Sequence, residues 1–220
     1  MAVPADSYDR LTLPRTLRLP AALTAFALVA WVVSAAAMNG KQSMDGPGSL
    51  GSFLWFWVAM CAAMMLPSLV PAASLATSVG RSGLAFACGY FVIWTAAGVV
   101  AYEAGRALAS AGRLLAVGAI AAAAVYQVTP LKNACLRRCR SPLGLVLRRG
   151  AFGAGLGHGL VCLGCCWALM LALLALGADN MLFMAALAAA IFVEKVTSVG
   201  ARASIPVAVM LLGAAVWIAL

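Results

Sequence analysis

Thirteen residues, GLGHGLVCLGCCW (155–167), hold the only histidine of the chain and three of its seven cysteines. Imidazole nitrogen and thiolate sulfur bind soft metal ions, and paired thiols also exchange electrons as disulfides. On a helix, residues three or four apart share a face, so His158, Cys162, Cys165 or Cys166, and then Met170 form one stripe. Nitrogen, thiolate and thioether together suit Cu(I) or Zn(II), and the presence of methionine leans towards Cu(I). In an apolar setting a thiolate needs a compensating cation, which a bound metal supplies. The spacing is not a standard zinc pattern, and the alternative reading is that the cysteines are small buried hydrophobes. Four potential ligands in nine residues favour metal or thiol chemistry.

Two other stretches extend the donor set. Cys135 and Cys139 in CLRRCR lie four apart, on one side of a helix, with Arg137, Arg138 and Arg140 beside them to favour thiolates. In VAMCAAMMLPS (58–68), Met60 and Met64 share one face while Cys61 and Met65 share the next, before Pro67 and Pro71 disturb the helix. Methionine is a Cu(I) ligand and a poor Zn(II) ligand, although it is also ordinary packing material. Together the Met face and the Cys/His face would form a relay whose direction the residues leave open.

The elements that hold these residues follow from composition. The chain is 65% hydrophobic and 10% charged with mean hydropathy +1.03, too few charges to cover a water-soluble globule of 220 residues. A membrane-crossing helix needs about 20 mostly apolar residues. Charge-free stretches at 19–40, 46–80, 82–102, 114–131, 150–178, 180–193 and 203–220 predict an all-α transmembrane bundle of about seven spans. The sixth is short, putting Glu194 and Lys195 at the membrane edge or behind protein. With the N-terminus inside, 12 of the 15 basic residues are cytoplasmic, and Lys41, Arg106 and Arg113 are external. That predicts a multi-pass cell-membrane protein with an external C-terminus. Residues 1–37 also imitate a signal peptide ending in Ala35-Ala36-Ala37, which would leave six spans, but the apolar run is long for a signal and favours an uncleaved anchor.

Residues 1–18 read as a cytoplasmic lead, 39–49 as an external loop and 132–150 as a basic cytoplasmic segment within one bundle spanning 19–220. The net charge of +9 reads as topology and contact with anionic lipid, with no nucleic-acid module to use it. Gly153 with Gly157 and Gly155 with Gly159 are small residues four apart, which admit another helix closely and leave a homo-oligomer open. Tyr126 reads as an interfacial anchor, Gln127 as a neighbour that hydrogen-bonds a ligand residue, and Glu194 as a partner of Lys195 or a loop arginine, or as an orienter of His158.

The blocks MCAAMMLPS (60–68), YQVTPLKNACLRRCRSP (126–142) and GHGLVCLGCCWALM (157–170), followed by EK (194–195), resemble the family of predicted metal-binding integral membrane proteins, a domain of unknown function, over roughly residues 50–200. That resemblance implies membrane location and metal binding, and points to Met60, Met64, Met65, Cys135, Cys139, His158, Cys162, Cys165, Cys166 and Glu194. The family brings no enzymatic activity with it, and no catalytic base or phosphate loop is evident in the chain. The favoured expectation is a Cu(I)-handling membrane protein, with Zn(II) as the other candidate metal and a copper chaperone or metalloprotein as its partner. The alternative is a membrane thiol–disulfide oxidoreductase using Cys135/Cys139 and Cys162/Cys165/Cys166, which lacks a Cys-x-x-Cys pair in an external loop. A haem role is weaker, since a lone histidine offers no second axial partner.

Overall fold

A computed structural model describes residues 15–39, 49–176, 180–197 and 200–220. Within them the chain is all-helical: α1 (Arg15–Asn39), α2 (Leu50–Ser78), α3 (Gly83–Gln127), α4 (Pro130–Arg140), α5 (Leu143–Arg148), α6 (Ala151–Leu176), α7 (Met181–Val196) and α8 (Gly200–Ala219). Most of the expected lead (1–14) and external loop (40–48) lie outside the described residues. Polar side chains start the helices where the backbone leaves its first amides unpaired. Ser49, Ser82, Thr129 and Asn180 each accept from an amide two or three residues on. Pro130 follows Thr129 at the first position of α4, where a missing N–H costs nothing.

Among the described residues five helices, α1, α2, α3, α6 and α8, are long and apolar enough to cross a membrane. The expected seven spans are therefore corrected, for two physical reasons. The third and fourth expected stretches are the two arms of α3, joined without a loop at Gly112, whose non-helical backbone with a φ of 73° is open to glycine without strain, so they count as one apolar element. The bend folds the element back on itself, because Tyr90 near its start reaches Cys162 and Tyr126 at its end reaches Gly164, two residues further along α6. The sixth stretch is α7, only 16 residues, and its end carries two buried ionisable groups. The basic segment 132–150 is likewise largely helical, as α4 and α5. Pro67 and Pro71, expected to disturb the second span, sit inside a continuous α2.

α6 is the hub. It packs most extensively on α3 and also meets α4, α5 and α7, while α2 lies between α1, α3 and α7. Close approach of α3 and α6 depends on glycine: a Cβ on Gly155 would overlap the Phe86 carbonyl, and one on Gly89 would overlap that of Phe152. Gly159 lies against Ile93 and Tyr90. The Gly155/Gly159 stripe thus serves packing inside the chain. Trp57 Nε1 donates to the Trp94 carbonyl at 2.8 Å and ties α2 to α3.

Candidate metal centre

The soft residues of α6 face inward. His158, Cys162, Cys165, Cys166 and Met170 are all buried, as their shared helical face requires. α4 lies across α6 and adds Cys139. Among the described residues, Cys139, Cys162 and Cys165 form a group whose sulfurs all lie within 4.8 Å of one another. Three sulfurs bonded to one ion at about 2.3 Å stand about 3.8–4.0 Å apart in tetrahedral or trigonal geometry, so a contraction of no more than about 1 Å would let all three share it. Cys165 Sγ lies 3.4 Å from Cys166 Sγ and 3.1 Å from the Cys162 carbonyl, to which it donates.

Nitrogen and sulfur donors border the group. His158 Nε2 is 4.0 Å from Cys139 Sγ, and the ring lies between Phe86 and Tyr90, with centroids 5.4 and 5.8 Å away. Its Nδ1 is buried and has no hydrogen-bond partner among the described residues. Nε2 is the ring atom beside the thiols, so it is the nitrogen an ion held there would meet. Tyr90 Oη is 3.0 Å from Cys162 Sγ. Lys195 Nζ, from the end of α7, donates to Cys162 Sγ at 2.9 Å, to Met65 Sδ at 3.4 Å and to Ser68 Oγ at 3.5 Å.

The sequence-derived candidates divide accordingly. Cys139, Cys162, Cys165, Cys166, His158 and Met65 converge on one place, Met65 through its contact with Lys195. Met60 and Met64, five residues and one residue before Met65, are also buried on α2. Cys135 is partly exposed, with its sulfur against Gly164. Glu194 is elsewhere. Its Oε1 accepts from Lys132 Nζ at 2.7 Å, from Gln127 Nε2 at 3.1 Å and from Ser204 Oγ at 3.1 Å, and Lys132 also donates to Gln127. The expected pairing with Lys195 or a loop arginine, or an approach to His158, is replaced by a buried ion pair with Lys132, both side chains almost wholly buried. Gln127 serves that pair, and Tyr126 Oη donates to the Gly164 carbonyl at 2.5 Å.

Sequence reasoning missed Tyr90, Lys132 and the inward turn of Lys195. For Lys195 a signal existed: a cation beside a carboxylate after a charge-free helix can turn inward, and intramembrane charges need partners.

Three buried thiols from two helices, bordered by an imidazole and a lysine, form a group that could hold a metal ion, in an all-helical chain with several helices apolar enough for a bilayer. The copper chaperone family PpoB2 matches residues 54–218, three quarters of the chain, and the chain belongs to that family. No curated protein and no solved structure matches it.

Proposed function

We propose that this protein is an integral cell-membrane protein that binds Cu(I) at Cys139, Cys162 and Cys165 and passes it to or from a partner. The observation that carries the reading is the convergence of those three sulfurs within 4.8 Å in a chain of a copper chaperone family. Three soft sulfurs with no carboxylate among them suit Cu(I). His158 stands as a fourth donor beside Cys139, and Cys166 beside Cys165 offers a sulfur to which the ion can move. Met65, Met64 and Met60 continue the soft lining along α2. Three thiols and an imidazole would also hold Zn(II), and family membership is what turns the reading to copper. The distribution of basic residues supports a cytoplasmic N-terminus and, with the two arms of α3 crossing out and back, α4 and α5 on the cytoplasmic side.

The test is metal content by mass spectrometry on anaerobically purified, detergent-solubilised protein given Cu(I) or Zn(II). The parent is expected to hold stoichiometric copper, and Cys139→Ser, Cys162→Ser and Cys165→Ser each to bind it more weakly and retain less of it through purification. A Cys88→Ser control, at an exposed cysteine, is expected to keep it. A reduced parent that takes up no copper would sink the proposal.

A further inference from the structure

Beside the thiol group is a pocket of about 390 Å³ between α2, α4 and α7, lined by Ser68, Pro71, Cys139, Arg140 and Lys195 among others. Two of these belong to both places: Cys139 is one of the clustered thiols, and Lys195 touches Cys162. Exposure falls along the wall, from an exposed Arg140 to Lys195 at 9% and Cys139 at 6%. The pocket is a path from outside the bundle to the sulfurs, of a size that takes small molecules.

Its electrostatics are wrong for a bare metal ion. Arg140 and Lys195 are cationic and none of the lining residues is acidic. A naked Cu(I) cation would be repelled, whereas copper wrapped in a carboxylate-bearing thiol arrives as an anion. Arg140 Nη2 donates to the Thr197 carbonyl at 2.6 Å and Nη1 borders Gly200, which fixes the guanidinium while its remaining N–H groups stay able to donate to a carboxylate. Cys139 is almost wholly buried, so a carrier that enters the pocket as a small free molecule reaches its sulfur more readily than a cysteine held on a folded protein's surface.

We infer that this pocket binds a small anionic thiol of the glutathione class and receives Cu(I) from its thiolate complex, with Arg140 clamping the carboxylate and Cys139 taking the metal. The inference rests on the copper-binding reading above. In the exchange a bond forms between Cys139 Sγ and copper as one bond between copper and the carrier sulfur breaks. The Cys139 proton leaves on the departing thiol, and copper stays Cu(I) throughout.

The experiment follows the rate of Cu(I) loading into the reduced full chain in detergent from two donors, the Cu(I)–glutathione complex and Cu(I)–acetonitrile. Loading from glutathione is expected to saturate and to be slowed by S-methylglutathione, which has the carboxylates but no free thiol. Arg140→Gln is expected to slow loading from the glutathione complex about tenfold, the worth of one charge-assisted hydrogen bond, and not to slow loading from the cationic acetonitrile complex, which meets one repelling charge fewer. Arg140→Lys should recover part of the loss. The pocket inference is overturned if S-methylglutathione has no effect on the parent, or if Arg140→Gln changes both donors equally or neither. If the parent binds copper from neither donor, it is the copper-binding reading that fails.

Discussion

Lys195 Nζ donates to Cys162 Sγ across 2.9 Å, while Glu194, one residue earlier on α7, accepts from Lys132 Nζ at 2.7 Å. Neighbouring residues of one helix end thus serve two different buried charge sites. Glu194 fastens α7 to α3, α4 and α8 through Gln127, Lys132 and Ser204, and that fastening fixes where the Lys195 ammonium stands. Three thiolates around one Cu(I) leave an excess of negative charge, and Lys195 offsets part of it. Lys195→Met is therefore expected to weaken Cu(I) binding about 10- to 100-fold, the usual effect of losing a group that supports a metal ligand. Competition against a chromophoric Cu(I) chelator reads the change, and Lys195→Arg should retain more affinity than the methionine variant. Unchanged affinity in Lys195→Met would remove the lysine from the account.

The ion pair of Lys132 and Glu194 carries a separate expectation. Both side chains are almost wholly buried, so removing one leaves the other charge without its partner, at a cost of about 3–5 kcal/mol. Glu194→Leu alone should lower the thermal midpoint in detergent sharply. Adding Lys132→Met should recover most of the loss, because two apolar side chains replace a buried pair well. A double variant no more stable than the single one would mean that the carboxylate matters through Gln127 and Ser204 instead.

Much of this architecture was legible in the residues, and the exceptions have a common cause. Composition and charge-free runs foretold apolar helices, and the spacing of His158, Cys162, Cys165 and Cys166 foretold their shared inward face. The four-residue spacing of Cys135 and Cys139 put both sulfurs on the α6 side, but only tertiary packing decides that Cys139 joins the cluster while Cys135 meets Gly164. Helical period says which residues share a face and nothing about which distant face they meet. Lys132 and Glu194 are 62 residues apart, and Tyr90 and Cys162 are 72 apart, so neither contact leaves a local signature. The count of apolar helices differs for a related reason: hydropathy cannot see that the stretches on either side of Gly112 are joined without a loop, although the chain doubles back there.

Helix approach gives a test independent of metal. Gly155→Ala would drive a methyl group into the Phe86 backbone, which cannot step aside as a flexible side chain would. The α3–α6 contact must open, at about 1–3 kcal/mol for an overpacked core position. Gly118 has nothing within 4 Å of an added Cβ, so Gly118→Ala should be neutral or slightly stabilising. Thermal unfolding of the two variants side by side checks the contrast, and equal midpoints would contradict the packing described for Gly155.

Copper binding should also be proton-linked, with a sign that follows from Cys139. Its hydrogen bonding with Cys162 pushes the Cys139 thiol above the ordinary cysteine range, with burial adding to the rise. The thiol therefore stays protonated across the neutral range, and Cu(I) must displace that proton to use the sulfur. Apparent affinity then rises with pH, by about tenfold per pH unit for each proton displaced, up to the raised value. Measured by chelator competition between about pH 6 and 9, the slope for the parent should exceed that for Cys139→Ser by one proton. The serine hydroxyl has no proton to give up in this range, so its absence from the count is specific to the sulfur. Parallel slopes in the two proteins would show that Cys139 does not ligate copper, even if the serine variant binds it more weakly.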